Sequence, residues 1–229
     1  PIPRFEPRPS RTRRRPISQA FENAFGPRKL MRVSSTLAAR DLTTAHPFQQ
    51  ESLLRVHRGL VGRGVFARKA LTKGAIVCTL DGPRIDGRAY RQLTARNRNK
   101  FSQIGPNDYV GQTNGFDDLF NHSCEPNLLL RERHGDFVFV CWRAVRAGEE
   151  MTWDYACVVT DSYTKFRCRC GSRSCRKEIS TFLKIPFHLK SLYARAGGSP
   201  PYVFQAELLK RQFSASKNSL NRRAVRHKQ

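Results

Sequence analysis

Three cysteines crowd into FRCRCGSRSC, residues 166–175, and their spacing constrains the fold more than any other feature of the chain. Thiolates this close together usually hold a metal, and a closed structural zinc site needs four ligands in a tetrahedron. Cys168, Cys170 and Cys175 supply three of them, so the fourth must come from elsewhere in the chain. The candidates are a histidine and four other cysteines: Cys78, Cys124, Cys141 and Cys157.

The residues alone leave the fourth ligand open. Cys157 is close in sequence, whereas Cys78 and Cys141 lie in apolar runs and are most simply small core residues. Seven cysteines is an odd number, and the sequence shows no apolar leader of the secretory type. We therefore expect metal-bound thiolates in a reducing compartment rather than a disulfide framework.

Charge is distributed unevenly along the 229 residues. Lys and Arg total 42 against 18 Asp and Glu, which gives a formal net charge of +24. Residues 106–161 differ, because they contain ten acidic and four basic side chains. Their net charge is therefore −6, and the net charge of the remaining residues is +30. An acidic region suits a cationic substrate, and a basic surface suits a polyanion such as nucleic acid or an acidic membrane surface. Ordinary solvated surface explains the acidic region equally well.

The two ends of the chain are basic. Residues 1–36 are rich in Pro, Arg and Ser without a sustained apolar period, which is typical of a disordered arm, and a basic tail follows from about residue 214. RTRRRP is typical of a nuclear-localisation or nucleic-acid-binding segment, and an organelle transit peptide has a similar composition. We expect a nuclear protein, with cytoplasm or an organelle as alternatives.

No apolar run approaches the roughly 18 to 20 residues that span a bilayer, so we expect no membrane partner.

From about residue 53, short apolar runs alternate with glycine and charged turns, a pattern that predicts a mostly β domain with a few helices. Buried strands are predicted at 65–67, 75–80 and 137–142. Residues 88–104 place Tyr90, Leu93 and Phe101 at a loosely helical spacing. A second helical pattern after Pro201 places Phe204, Leu208 and Phe213 on one face.

Three further segments carry chemistry. FNHSCEPN, residues 120–127, is rich in side chains that bond to nearby backbone, which favours a tight loop. GRGVFA, residues 62–67, has two glycines that let a ligand approach the backbone closely. GEEMTWDYA, residues 148–156, contains Tyr155, a phenol that lines a site or fills the core.

Taken in this order, the four segments resemble those of the SET-domain protein lysine methyltransferases. GRGVFA resembles the family's Gly-x-Gly motif, FNHSCEPN its Asn-His-Ser-Cys-x-Pro-Asn motif, and GEEMTWDY its Glu-Glu-Leu-Thr-x-Asp-Tyr motif. FRCRCGSRSC is similar to the zinc-binding post-SET segment. The resemblance covers residues 53–180 and implies a β-clip fold with a pseudoknot.

We accordingly divide the chain into four parts. They are a basic arm (1–52), a SET domain (53–160), a post-SET zinc segment (161–180), and a C-terminal helical extension with a basic tail (181–229).

The resemblance implies two cofactors and their binding residues. It assigns Zn²⁺ to Cys124, Cys168, Cys170 and Cys175 and leaves Cys157 free. It assigns S-adenosyl-L-methionine to the following residues: Gly62, Arg63, Gly64, Asn121 and His122. Zinc would then tie the post-SET segment to the loop that binds the donor.

The implied reaction is methyl transfer to a lysine that enters a narrow channel. Lysine has a pKa of about 10.4, so its ammonium must lose a proton before it can attack. By resemblance, Tyr155 orients the amine, and Tyr109 forms another wall of the channel. Trp153 stands where the family commonly has Phe or Tyr, and its indole either narrows the pocket towards monomethylation or turns away.

We thus expect a monomeric protein-lysine N-methyltransferase that acts on a basic protein such as a histone, with its basic termini in contact with nucleic acid. The alternative is a catalytically inactive, zinc-stabilised module that binds nucleic acid or chromatin.

Overall fold

The computed structural model of the chain describes residues 51–210 and 212. The predicted N-terminal arm and the basic tail lie outside these residues. Within them, no helix is both long enough and apolar enough to cross a membrane.

Short strands dominate the described residues, so the predicted mostly β class is confirmed. The strands are β1 (Leu54–Gly59), β2 (Gly62–Ala67), β3 (Ile76–Leu80), β4 (Arg84–Asp86), β5 (Phe101–Gln103), β6 (Asp108–Gly111), β7 (Asn121–His122), β8 (Leu128–Arg133), β9 (Asp136–Cys141), β10 (Glu150–Trp153), β11 (Phe166–Arg167) and β12 (Glu178–Ile179). The helices are α1 (Gly87–Gln92), α2 (Ala95–Arg98), α3 (Phe187–Ala196) and α4 (201–210). Single 3₁₀ turns lie at Glu51–Leu53, Asp117–Leu119, Tyr155–Cys157 and Phe182–Lys184.

One four-stranded sheet, with the order β1-β2-β10-β7, positions the candidate site. Strand β10 runs antiparallel to β2, with Met151 opposite Val65, and parallel to β7, with Thr152 opposite Asn121. Three motifs that are distant in the sequence therefore become neighbours on this sheet.

A three-stranded sheet with the order β3-β9-β8 forms much of the hydrophobic core. Residues 137–141 of β9 are all buried, which explains why this strand is a continuous apolar run rather than an alternating one. Phe139 is fully buried, and its ring meets the edges of Phe120 and Trp153 at centroid distances of 4.8 and 5.3 Å. The three predicted strands correspond to β2, β3 and β9 and are confirmed.

The helix predicted over residues 88–104 is wrong in its extent. Asp86 caps α1 by accepting a hydrogen bond from the Ala89 amide at 2.8 Å, and Thr94 starts α2 by accepting one from the Asn97 amide at 3.3 Å. Leu93 between them is extended, with ψ of 148°, so the helix is interrupted. Phe101 lies in β5 rather than on a helix, because that strand pairs with β6.

The C-terminal extension contains two helices, of which the sequence pattern predicted only the second. Lys190 of α3 and Glu207 of α4 are both buried and form an ion pair at 2.9 Å. In α4, Phe204 and Leu208 are one helical turn apart and so lie on one face, as predicted, with Phe204 buried and Leu208 38% exposed. Phe213 lies outside the described residues.

Candidate active site and metal centre

The Gly-x-Gly segment begins β2 and exposes backbone. Gly62 has φ of +91°, a conformation that L side chains rarely adopt, and no described atom lies within 4 Å of where its Cβ would be. Arg63 is also exposed. A side chain at Gly64 would displace the carboxylate of Glu150 and the side-chain amide of Asn121, so glycine there allows these two groups to pack against the strand.

Asn121 links the three predicted motifs. Its Nδ2 donates to the carbonyl of Arg63 at 3.1 Å and to Oε1 of Glu150 at 2.7 Å. The side-chain amide is therefore fixed between β2 and β10, with its backbone in β7. The resemblance identified Asn121 but not the partner Glu150, whose contacts become visible only once the strands are paired.

His122 is buried next to both Tyr155 and Cys124. Its Nδ1 accepts a hydrogen bond from the Tyr155 amide at 3.3 Å, and its Nε2 lies 3.3 Å from Sγ of Cys124. Burial lowers the pKa of His122 to about 4, and the Arg176 guanidinium acts in the same direction against the opposing effect of Asp154. The imidazole is therefore neutral at physiological pH.

Sulfur and nitrogen donors gather beside this histidine. The ligand atoms of His122, Cys124, Cys168 and Cys170 all lie within 4.8 Å of one another. This donor set fits zinc, which prefers thiolate and imidazole ligands. Cys175 packs against the same cluster, and Cys157 is buried apart from it. All seven cysteines lie in the described residues and are free thiols.

Backbone amides of the post-SET segment also donate to two of the cysteine sulfurs. The Arg176 amide donates to Sγ of Cys124 at 3.3 Å, and the Lys177 amide donates to Sγ of Cys175 at 3.4 Å. Such donors stabilise thiolates, the form in which cysteine binds a metal.

A buried ion pair ties the same segment to the sheet. The guanidinium of Arg176 donates two hydrogen bonds of 2.6 Å to the carboxylate of Asp154, which is only 2% exposed. Tyr193 of α3 donates a third hydrogen bond to this carboxylate at 3.0 Å. Sequence reasoning missed this network, because Asp154 was noted only as part of a motif and α3 was not predicted.

A cavity of about 420 Å³ lies beside these elements and is rich in aromatic rings. The rings are those of Tyr90, Phe101, Tyr109, Phe120, Trp153, Tyr155 and Phe166. The Tyr155 hydroxyl donates to the carbonyl of Phe120 at 2.7 Å. Burial raises the pKa of Tyr155, and the nearby Glu150 carboxylate adds to that effect, so the phenol stays protonated at physiological pH.

Tyr109 and Trp153 form parts of the cavity wall. Tyr109 stacks on Tyr90 with a centroid distance of 3.7 Å, and its hydroxyl donates to Asp161 at 3.0 Å. Trp153 is 5% exposed, and its ring centroid lies 5.0 Å from that of Tyr155. Trp153 thus lines the cavity next to Tyr155.

Comparison with known proteins agrees with this arrangement. The chain is 30% identical to histone-lysine N-methyltransferase 2B of Homo sapiens over 139 residues, which is 53% of this chain and 5% of that protein. It is 27% identical to histone-lysine N-methyltransferase trithorax of Drosophila virilis over 192 residues, which is 75% of this chain and 5% of that protein. The chain thus spans a small part of the length of these relatives.

A solved structure of KRYPTONITE in complex with mCHG DNA and SAH aligns with a TM-score of 0.46 and 22% identity, over 55% of this chain and 28% of that one.

Residues 62–156 match the family described as SET domain. These residues include the Gly-x-Gly strand, the Asn-His-Ser-Cys segment and Tyr155. Residues 62–156 of the chain therefore form a SET domain.

Proposed function

We propose that this chain is an S-adenosylmethionine-dependent protein-lysine N-methyltransferase that modifies a basic protein such as a histone. One observation carries the proposal. Tyr155 lines an aromatic cavity, and its backbone amide donates to His122 of the Asn-His-Ser-Cys motif. The curated relatives, both histone-lysine N-methyltransferases by name, support the same reaction.

The residues proposed to bind S-adenosylmethionine, the methyl donor, fit an extended ligand. S-adenosylmethionine, when bound, supplies a methyl group activated by its sulfonium. Gly62 and Arg63 offer exposed backbone, and the open side of Gly62 allows close approach. Asn121 is held in place by Arg63 and Glu150, and His122 by the Tyr155 amide. We assign donor binding to these residues together with Gly64, which lets Asn121 and Glu150 pack against β2.

The cavity suits the side chain of a lysine. Its aromatic walls exclude water, and desolvation lowers the pKa of an amine and so favours the neutral form that attacks. Since the phenol of Tyr155 remains protonated, it orients the amine rather than acting as a base. Tyr109 is anchored by Tyr90 and Asp161 and serves as a wall, and Trp153 limits the space beside Tyr155.

Zinc has a structural role in this proposal. Cys124, Cys168 and Cys170 would be three ligands, and Cys175 the fourth by the resemblance. His122 competes for that position, because its Nε2 lies within the compact donor group. A closed zinc site here would connect the post-SET segment to the loop that follows β7.

The proposed setting is the nucleus, with the chain as a monomer. The acidic stretch 106–161 suits a basic protein substrate, and the charge of +30 outside it suits nucleic acid near that substrate.

Methyl transfer to recombinant core histones tests the proposal. Wild-type protein and radiolabelled S-adenosylmethionine should label a histone, and Tyr155→Phe should lower kcat about a hundredfold, the usual effect of removing one pre-positioned polar group at a reacting centre. Tyr163→Phe is the matched control, because Tyr163 is half exposed, and it should retain activity. Absence of labelling together with absence of donor binding by calorimetry would contradict the proposal.

A second candidate is a zinc-stabilised nucleic-acid-binding module without catalysis. It is favoured by exposed basic residues on the folded domain: Arg84, Arg88, Arg91, Arg96 and Lys100. This function predicts salt-sensitive DNA or RNA affinity that Tyr155→Phe leaves unchanged, with no methyl transfer by either protein.

A further inference from the structure

A buried carboxylate at the cavity lacks a partner for one of its oxygens. Asp117 is 4% exposed, and its Oδ2 accepts a hydrogen bond from the Asp81 amide at 3.2 Å. Its Oδ1 is buried and has no hydrogen-bond partner among the described residues. A buried oxygen without a hydrogen bond lowers the stability of the folded state, so such an atom needs an explanation beyond packing.

Asp117 is connected to the reacting end of the cavity. It begins the 3₁₀ turn Asp117–Leu119, which leads directly to Phe120, whose carbonyl receives the Tyr155 hydroxyl. Asp117, Trp153 and Tyr155 line the same cavity. A side chain that enters this cavity therefore meets a wall that contains both Asp117 and Tyr155.

The surroundings of Asp117 are acidic or neutral. The titratable groups that face it are Cys78 of β3, Asp81 after β3 and Asp118 of its own turn, and none of these three is a cation. Burial, with a smaller contribution from the Asp118 and Asp81 carboxylates, raises the pKa of Asp117 to about 6, and hydrogen bonds from the backbone amides of Asp81 and of Asp117 itself oppose the shift. The carboxyl is therefore ionised at physiological pH.

The basic groups that line the cavity come from other elements. They are Arg98 of α2 and Lys100, which follows that helix. The Arg98 guanidinium lies over the Tyr163 ring, 4.5 Å from its centroid, so it has a contact of its own. The remaining titratable groups along the cavity are Tyr90, Tyr109, Tyr155 and Asp161.

We propose that Asp117 is an amine-binding subsite whose free oxygen accepts a hydrogen bond from the ε-ammonium of the substrate lysine and then takes its proton. The proposal rests on the proposed function, because that function brings a lysine into this cavity. An N–H bond of the ammonium breaks and an O–H bond of Asp117 forms, which leaves a neutral amine and a neutral carboxylic acid. Tyr155 then orients an amine whose lone pair is free to attack.

A small amine tests this subsite without catalysis. The probe is n-butylammonium chloride, which matches the lysine side chain, with n-butanol as a neutral molecule of similar size. Amide chemical shifts of the ¹⁵N-labelled chain should move around the cavity, with the ammonium bound at least tenfold more tightly than the alcohol. Asp117→Asn should remove that preference, and Asp136→Asn, a charge-matched change at an exposed position of β9, should keep it.

The wild-type chain provides a second test that does not depend on a variant folding. The probe stays cationic below pH 8, like lysine with its pKa of about 10.4. Since Asp117 has a raised pKa of about 6, ammonium binding should be strong at pH 7.5 and weaken up to about tenfold per pH unit below 6.

Equal binding of the two probes, or ammonium binding that is constant between pH 5 and 7.5, would overturn the subsite. Either result leaves histone labelling and the effect of Tyr155→Phe untouched. Failure of the subsite is therefore distinguishable from failure of the proposed function.

Discussion

Trp153 illustrates how a single residue serves both the core and the cavity. Its ring contacts Phe139 on the core side and Tyr155 on the cavity side, with centroid distances of 5.3 and 5.0 Å. The strand alternation of β10 explains this position, because Met151 and Trp153 both point inwards from the same face. The size of this side chain therefore sets part of the cavity volume.

Replacing Trp153 with phenylalanine should change how many methyl groups a lysine receives. The smaller ring keeps the aromatic contacts but leaves room for a methylated amine to turn and react again. We expect wild-type protein to yield mainly monomethyl-lysine and Trp153→Phe to yield a several-fold larger dimethyl fraction, read by mass spectrometry of the labelled histone. Trp142→Phe is the control, since Trp142 lies outside the residues that line the cavity. An unchanged product ratio would show that the indole does not limit the space.

At the residue scale, the sequence predicts which residues belong to the site better than it predicts which residues they contact. The motifs pointed to Asn121, His122 and Tyr155, which do lie on neighbouring segments of the structure. Glu150 and Asp117 were not predicted as site residues, because their importance depends on contacts across strands that no local pattern encodes. A buried acid is recognisable only when its environment is known.

At the scale of elements, the post-SET segment is held by two sets of contacts that meet at Arg176, whose amide donates to Cys124. One is the cysteine and histidine donor group, and the other is the ion pair of Arg176 with Asp154. The carboxylate also accepts from the Ala156 amide at 3.1 Å, next to Tyr155. Movement of the segment is thereby coupled to the backbone that positions the phenol of Tyr155.

Breaking this ion pair should loosen the segment and lower activity. Arg176→Met leaves Asp154 buried without its cation, a situation that typically costs about 3–5 kcal/mol. We expect a clearly lower Tm and a fall in kcat/KM, measured by calorimetry and by histone labelling. Arg173→Met removes an exposed arginine from the same segment and should change neither quantity appreciably. Equal stability of the two variants would refute a clamping role for Arg176.

Metal analysis should identify which residues of the cysteine and histidine donor group bind zinc. We expect about one zinc per chain by mass spectrometry, and loss of most of it in Cys168→Ser, because a closed site needs four ligands. Cys157→Ser should retain zinc, since that buried cysteine lies outside the donor group.

The fourth ligand is decided by two further variants. Cys175→Ser should lose zinc if the resemblance is right, whereas His122→Gln should lose it if the imidazole takes that position. Retention of zinc by Cys168→Ser, Cys175→Ser and His122→Gln alike would exclude the site.

The elements that the sequence predicted best are those whose burial creates a simple pattern. Strand β9 is buried along five consecutive residues, and its apolar run was recognised. Helix α3 has a weaker pattern, because its buried positions include Lys190, whose charge is satisfied by Glu207 of α4. The helix predicted over 88–104 failed for a local reason, since the Thr94 cap and the extended Leu93 interrupt it.

At the scale of the whole molecule, the basic charge lies on the folded domain as well as at its termini. Helices α1 and α2 and the residues flanking them carry several exposed arginines, and Arg98 of α2 also lines the cavity. Arg98 and Lys100 share the cavity wall with the carboxylates of Asp117, Asp118 and Asp161. We expect the exposed arginines of the two helices to contact phosphates, as in the proposed association with nucleic acid.

Salt titration of nucleic-acid binding tests this arrangement. The triple variant Arg88→Gln, Arg91→Gln and Arg96→Gln should bind duplex DNA more weakly, and its plot of log K against log salt should be shallower by up to about 0.9 for each phosphate that the variant no longer neutralises. Lys69→Gln, Lys73→Gln and Arg133→Gln together remove the same charge from exposed positions outside α1 and α2 and should leave the slope close to wild type. Fluorescence anisotropy at salt concentrations between about 50 and 200 mM measures both slopes. Identical slopes for the two triple variants would mean that binding depends on net charge alone and that the helices form no specific contact.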